Sequence, residues 1–204
     1  ITLLIKNVLD AGIRIPQLAL AKNIQKSALV VRQILKGRER SEDLSSKRLL
    51  LFSIPFFVCL DLLCKHLAET HLVEYGEPMP FIPFINLMLA YNSGIAFSLL
   101  DLNNFFTKYI LVIVGIILVI FLFRLYFKED KILSCLSLML IISGALGNIF
   151  DRIPDGVVTD FLELNIFNNT IFIFNLADAF ISVGAVCFFA SEFHRFLRNR
   201  HHAK

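Results

Sequence analysis

The chain has 204 residues, 56% hydrophobic and 18% charged, with a formal net charge of +3 and a mean hydropathy of +0.70. An ordinary soluble domain of this size is less apolar and more highly charged, so the composition points to a membrane protein. So small a net charge gives no support to nucleic-acid binding. The four cysteines, Cys59, Cys64, Cys135 and Cys187, form no C-x-x-C pair, which argues against zinc or a disulfide framework.

Residues 1–46 hold eight Lys or Arg against four Asp or Glu, with apolar residues at roughly helical spacing from Leu18 to Leu35. No methionine precedes Met79, so the first residues are expected to belong to a fragment, a non-standard start or an upstream extension. The segment does not have the pattern of a cleavable signal peptide. Leu20-Ala21 followed by Ser27, Val31, Ile34 and Gly37 has part of the spacing of a helix-turn-helix, but its turn has no glycine. A basic helix on the inner membrane surface is the expectation for this cytoplasmic extension, and 47–204 is expected to be a separate membrane domain.

A bilayer core about 30 Å thick needs about 20 apolar residues as a helix, because unpaired backbone groups are too costly in hydrocarbon. Four stretches qualify, at about 49–67, 110–127, 132–150 and 174–193. Lys47 and Arg48 precede the first, Arg124, Lys128 and Lys131 join the second to the third, and Arg195, Arg198, Arg200 and Lys204 follow the fourth. Basic flanks stay inside, so both termini are expected to be cytoplasmic and the other two connections external. Between the first two spans, Pro78, Pro80 and Pro83 punctuate a segment whose 81–98 portion mixes aromatic, branched and polar residues. That predicts extended structure at the outer interface rather than a further helix. The predicted fold class is an all-α polytopic membrane protein with four transmembrane helices and a small β-like extracytoplasmic segment between helices 1 and 2.

Ionisable and amide groups are expensive in a membrane, so those near the spans are functional candidates. Asp61 and Lys65 lie one turn apart on the first span, toward its outer end. Two readings stand open for them: an i,i+4 ion pair with the lysine snorkelling outward, or a direct role toward substrate. On the third span Gly144, Asn148 and Arg152 recur at four-residue spacing, with Ser143, Gly147 and Asp151 in the adjoining row. The glycines suit close helix packing, whereas Asn148 and Arg152 need polar partners. Arg152 can snorkel to headgroups, hold a carboxylate ionised or grip a substrate carbonyl.

At the start of the fourth span, Asn175 can cap the helix, with Asp178 three residues later beside the positive end of its dipole. Asp160 lies in the preceding external loop, where apolar neighbours hold it against the membrane. Two carboxylates at one depth can share a proton, since two like charges a few Å apart do not both ionise cheaply. Such a pair can activate water for amide hydrolysis. No Ser-His-Asp arrangement competes with it, and no H-E-x-x-H or outer histidine cluster suggests a metal.

Five motifs in order complete the pattern: Asp61 with Lys65; Asn92-Ser93-Gly94-Ile95-Ala96-Phe97-Ser98; Gly144-Ala145-Leu146-Gly147-Asn148 followed by Asp151-Arg152; Val158-Thr159-Asp160-Phe161; and Phe174-Asn175-Leu176-Ala177-Asp178. From about Lys47 onward the chain resembles lipoprotein signal peptidase, the membrane aspartic peptidase of bacteria also called signal peptidase II. Ser143 stands where that family often has another glycine, and Thr159 precedes the first aspartate of the pair. The resemblance implies a catalytic dyad of Asp160 and Asp178, with Asp61, Lys65, Asn92, Gly94, Asn148, Arg152 and Asn175 binding substrate or shaping the site. It also implies no cofactor, residence among the lipids of the inner membrane with the site near the outer face, and a diacylglyceryl-modified prolipoprotein substrate cut before its lipidated cysteine. The competing reading is a small ion- or proton-coupled transporter. It fares worse, because a transport path needs ionisable groups through the whole thickness, whereas these cluster at one end.

Overall fold

The computed structural model describes residues 15–94, 105–167 and 169–202. The first helix, α1, runs Ile15–His71, and the chain divides within it into two units, Ile1–Ser46 and Lys47–Lys204. The expected basic surface helix of the first unit falls mostly on side chains outside the described residues. So does the 95–98 part of the second motif.

In the second unit the elements follow in the order β1 (Met79–Ile82), β2 (Ile85–Asn92), α2 (Phe105–Lys128), α3 (Ile132–Asp155), β3 (Val158–Ile166), β4 (Asn169–Phe174) and α4 (Leu176–His202). Ser45–His71, Tyr109–Lys128, Ile132–Asp155 and Leu176–Arg200 are long and apolar enough to cross a membrane. Their outward faces carry large apolar side chains, with Phe52 79% exposed and Val186 and Phe189 both 70% exposed. Such surfaces are unfavourable against water and natural against lipid tails.

The centre of the bundle is α3, the most enclosed of the four spans. Small residues explain why: a Cβ at Gly144 would collide with the backbone oxygen of Ala177, and one at Gly184 would lie 2.7 Å from the Ser137 oxygen. Close helix approach therefore depends on both positions. The hydroxyls of Ser137 and Ser143 donate to the carbonyls four residues back, each at 2.8 Å, so burying them leaves no unpaired donor. Where α3 ends, Gly156 adopts a left-handed φ of 90° and returns its N–H to Arg152 O at 2.9 Å. At the opposite end of the bundle, away from the sheet, Tyr126 Oη donates to Lys47 O at 2.6 Å, tying α2 to α1.

The extended segment expected between the first two spans is the hairpin β1–β2. A second hairpin, β3–β4, joins α3 to α4, and the four strands form one antiparallel sheet in the order β1-β2-β3-β4. This corrects two expectations. Asp160 lies on a strand rather than in a loop, and Phe174 closes β4 instead of opening the fourth helix, which starts at Leu176. The pairing of Ala90 with Asp160 and of Tyr91 with Thr159 draws residues 158–166 into the sheet. Ala68 on α1 packs with Leu89 and Phe161, seating the sheet on the end of the first span.

Candidate active site

Five elements converge on one polar cluster, with Asp61, Lys65, Thr159, Asp160 and Asn175 buried in it. From α1 come Asp61 and Lys65, from α3 Asn148, Asp151 and Arg152, from β2 Asn92, from β3 Thr159 and Asp160, and from the start of α4 Asn175 and Asp178.

Lys65 is only 2% exposed. Its ammonium meets Asn148 Oδ1 at 2.8 Å, Asp61 Oδ2 at 2.9 Å and Asp151 Oδ2 at 3.2 Å, three acceptors for three N–H donors. The outward snorkel is thus replaced by a buried ion pair, because carboxylates from two helices compensate a charge that would otherwise seek water. Asp61 uses its other oxygen to accept the backbone N–H of Ala177 at 2.8 Å, one of the orphan donors at the start of α4. A Cβ at position 147 would lie 2.6 Å from Asp61 Oδ2, so this approach requires glycine.

Asn175 is the N-cap of α4, its Oδ1 accepting the Asp178 N–H at 2.9 Å, while Asp178 Oδ2 accepts the Asn175 N–H at a longer 3.4 Å. The capping expectation therefore holds. The same amide does more: Asn175 Nδ2 donates to Asp160 Oδ1 at 2.6 Å. Asp160 Oδ2 receives Asn92 Nδ2 at 2.9 Å, and Asp178 Oδ1 receives Asn148 Nδ2 at 2.8 Å. A continuous chain of hydrogen bonds thus links the Lys65 ion pair through Asn148, Asp178 and Asn175 to Asp160 and Asn92.

Burial pushes the Asp160 carboxyl up to about 6, and the neighbouring Asp178 charge works in the same direction against the hydrogen bonds from Asn92 and Asn175. Charge balance agrees. Among the described residues, Asp61, Asp151, Asp160 and Asp178 face the two cations Lys65 and Arg152, so a proton on one aspartate relieves part of the excess. Arg152 lies within electrostatic reach of Asp151, Asp160 and Asp178. Among the described residues its Nε is buried without a hydrogen-bond partner. Gly94, at a φ of 77°, leaves room for the guanidinium, since a Cβ there would sit 3.0 Å from Nη2.

All nine residues singled out in the sequence gather here. Three more were missed as site residues. Asp151 Oδ2 accepts the Thr159 N–H at 2.7 Å, and Thr159 Oγ1 donates to Glu69 Oε1 at 2.8 Å, holding the strand next to Asp160. Asp61, Lys65 and Glu69 share a four-residue spacing, a signal that points to Glu69. Among the described residues, no group of three His, Cys, Asp or Glu side chains is arranged to hold a metal ion.

Residues 53–194, well over half the chain, match the family model for signal peptidase (SPase) II. The chain belongs to the signal peptidase II family. Relatives named lipoprotein signal peptidase include one from Hydrogenovibrio crunogenus, 40% identical over 72% of this chain and 85% of the relative. Another, from Bartonella bacilliformis, is 38% identical over 78% of this chain and 96% of the relative. The fold is similar to a solved bacterial membrane enzyme at a TM-score of 0.61 and 28% identity, covering 72% of this chain and 92% of that one. As a signal peptidase II, the protein is a multi-pass membrane peptidase of the aspartic class that removes signal peptides from lipoproteins.

Proposed function

We propose that Asp160 and Asp178 are the catalytic dyad of this signal peptidase, acting on a prolipoprotein whose cysteine already carries diacylglycerol and cutting before that cysteine. The observation that carries this reading is the single Asn175 amide that contacts both residues. Asp160, the more deeply buried partner, carries the proton, and Asp178 acts as base. Asp178 takes a proton from the attacking water while Asp160 gives its own to the substrate carbonyl oxygen. The resulting gem-diol collapses as the C–N bond breaks, with a proton passing to the departing amine. Arg152 Nε, without a hydrogen-bond partner among the described residues and with its guanidinium within electrostatic reach of both carboxyls, supports a role for Arg152 in gripping a substrate carbonyl. Asp61, Lys65, Asn92, Gly94, Asn148 and Asn175 keep the dyad and this guanidinium in place.

The protein sits in the bacterial inner membrane with both termini cytoplasmic and the dyad near the outer face, where lipid tails and an apolar signal helix enter laterally. Residues 47–204 form the peptidase domain, and 1–46 are a basic extension. Accessibility tags at Lys131 and the C-terminus should report cytoplasm, and those near Glu74 and Asp155 the opposite side; a cytoplasmic Glu74 overturns this orientation.

The dyad is tested with Asp160→Asn and Asp178→Asn, assayed on a diacylglyceryl-modified prolipoprotein after each variant is shown to be folded. Asparagine keeps the shape and the cap but exchanges no proton, so cleavage should fall at least about 10²-fold in both. Near-wild-type turnover by either folded variant overturns the assignment, and for Asp178 it would leave helix capping as the whole role.

A further inference from the structure

Away from the aspartates, the loop between α2 and α3 and the last turns of α4 border a half-open cavity of about 360 Å³. Lys128, Lys131, His194, Arg195 and Arg198 line it, together with Glu129 and Asp130. The acidic charge there is already engaged. Glu129 Oε1 accepts Arg195 Nη2 at 2.7 Å and the backbone N–H groups of Asp130 and Lys131 at 3.2 and 3.3 Å. Burial works to raise the Glu129 pKa, but the Lys131 N–H and the Arg195 guanidinium together hold it below its ordinary value, so the carboxylate stays charged and compensated. Asp130 is fully exposed and lies 3.6 Å from Lys47 Nζ. Among the described residues, Lys128, Lys131 and Arg198 have no carboxylate within ion-pair distance. Three uncompensated cations therefore converge on one cavity.

Depth narrows the class of ligand. Seventeen residues separate Asp178 from Arg195 on α4, about 26 Å at about 1.5 Å per residue. That is close to the hydrocarbon thickness of about 30 Å, so with the aspartates at one interface the cavity lies at the other, level with the lipid phosphates. Exposed apolar residues border this level, Ile132 and Leu133 on α3 and Phe193 and Phe196 on α4.

We propose that this cavity binds the headgroup phosphate of an anionic phospholipid from the surrounding bilayer. Lys128, Lys131 and Arg198 contact the phosphate oxygens, the planar guanidinium as a two-pronged donor and the ammonium groups as point charges. The acyl chains lie along the exposed apolar faces of α3 and α4. A bilayer phosphate is favoured over a free one because the cations sit where lipid headgroups are concentrated and because apolar surface continues from the cavity into the membrane.

The test uses the full chain purified in neutral detergent. Thermal unfolding is followed with phosphatidylglycerol, with phosphatidylcholine and with inorganic phosphate at millimolar concentration, for the wild type and for Lys131→Gln/Arg198→Gln. Phosphatidylglycerol should raise Tm by about 3 °C more than phosphatidylcholine. The double variant should lose at least roughly half of that excess, while its cleavage rate in lipid-free detergent is unchanged. Equal shifts from the two lipids, or a full excess retained by the variant, overturn the proposal. An equal shift from inorganic phosphate overturns the lipid as its source. If the double variant does not fold, Arg198→Gln alone, at an exposed position, is read by the same criteria, with native mass spectrometry counting retained phosphatidylglycerol.

Discussion

Asn175 donates its side-chain amide to Asp160 Oδ1 at 2.6 Å from a position with no exposed surface. The other end of that amide receives the Asp178 N–H at 2.9 Å. One side chain thereby sets where a strand carboxyl stands relative to a helix N-terminus, and the two aspartates cannot drift apart without breaking a buried hydrogen bond.

Asn175→Ala should therefore cost more in catalysis than in folding. Loss of the cap costs about 1 kcal/mol, whereas misplacing reacting groups by about 1 Å lowers rates about 10²-fold. Asn175→Asp retains a cap acceptor but sets a third carboxyl against Asp160, and its activity should also collapse. The measurement is kcat beside Tm for both variants; a kcat loss no larger than the cap cost implies would reduce Asn175 to a cap.

Asp160 makes stability depend on pH. Its folded-state pKa is raised from 3.8 to about 6, so the folded protein holds this proton more tightly than the unfolded chain does. The stabilisation linked to that proton is fully present below 3.8 and is lost as pH rises through about 6. Asp160→Asn does not titrate. The Tm of the variant minus that of the wild type should thus increase from pH 4 to pH 7, reflecting a stability change of at most about 3 kcal/mol. A difference that stays constant across this range would show that the carboxyl is not held protonated by the fold.

Lys65 separates buried from surface electrostatics. Removing the ammonium in Lys65→Met strands Asp61, Asp151 and Asn148, and breaking such a buried pair costs about 3–5 kcal/mol. Adding Asp61→Asn should recover part of the loss. A snorkelling lysine would predict a near-neutral Lys65→Met and no coupling, so a double-mutant cycle on detergent unfolding distinguishes the two.

Gly147→Ala should behave unlike Gly115→Ala. At position 147 the new methyl meets Asp61 Oδ2 at 2.6 Å, and Asp61 is held by both Lys65 and the Ala177 N–H. At position 115 it meets, among the described residues, the Ile149 side chain alone, at 3.0 Å. Overpacking of about 1–3 kcal/mol or more is expected at the first site. At the second, the helix-propensity gain of about 1 kcal/mol offsets the crowding. Equal Tm values for the two variants would contradict the Asp61 geometry.

Local rules account for much of this. The four spans were legible because hydrocarbon demands long uninterrupted apolar helices, and the capping role of Asn175 because a cap and its third residue are neighbours in the chain. The gathering of polar residues at one end followed from helical spacing alone, as with Asp61 and Lys65. Tertiary structure decided the rest. Whether Lys65 turns outward or inward depends on Asp151 and Asn148, more than eighty residues away. Asp160 becomes a strand residue through its pairing opposite Ala90, and Asp61 finds its partner in an N–H 116 positions along the chain. A buried charge takes the partners that the packed fold brings to it, and that choice is made by contacts that no local periodicity encodes.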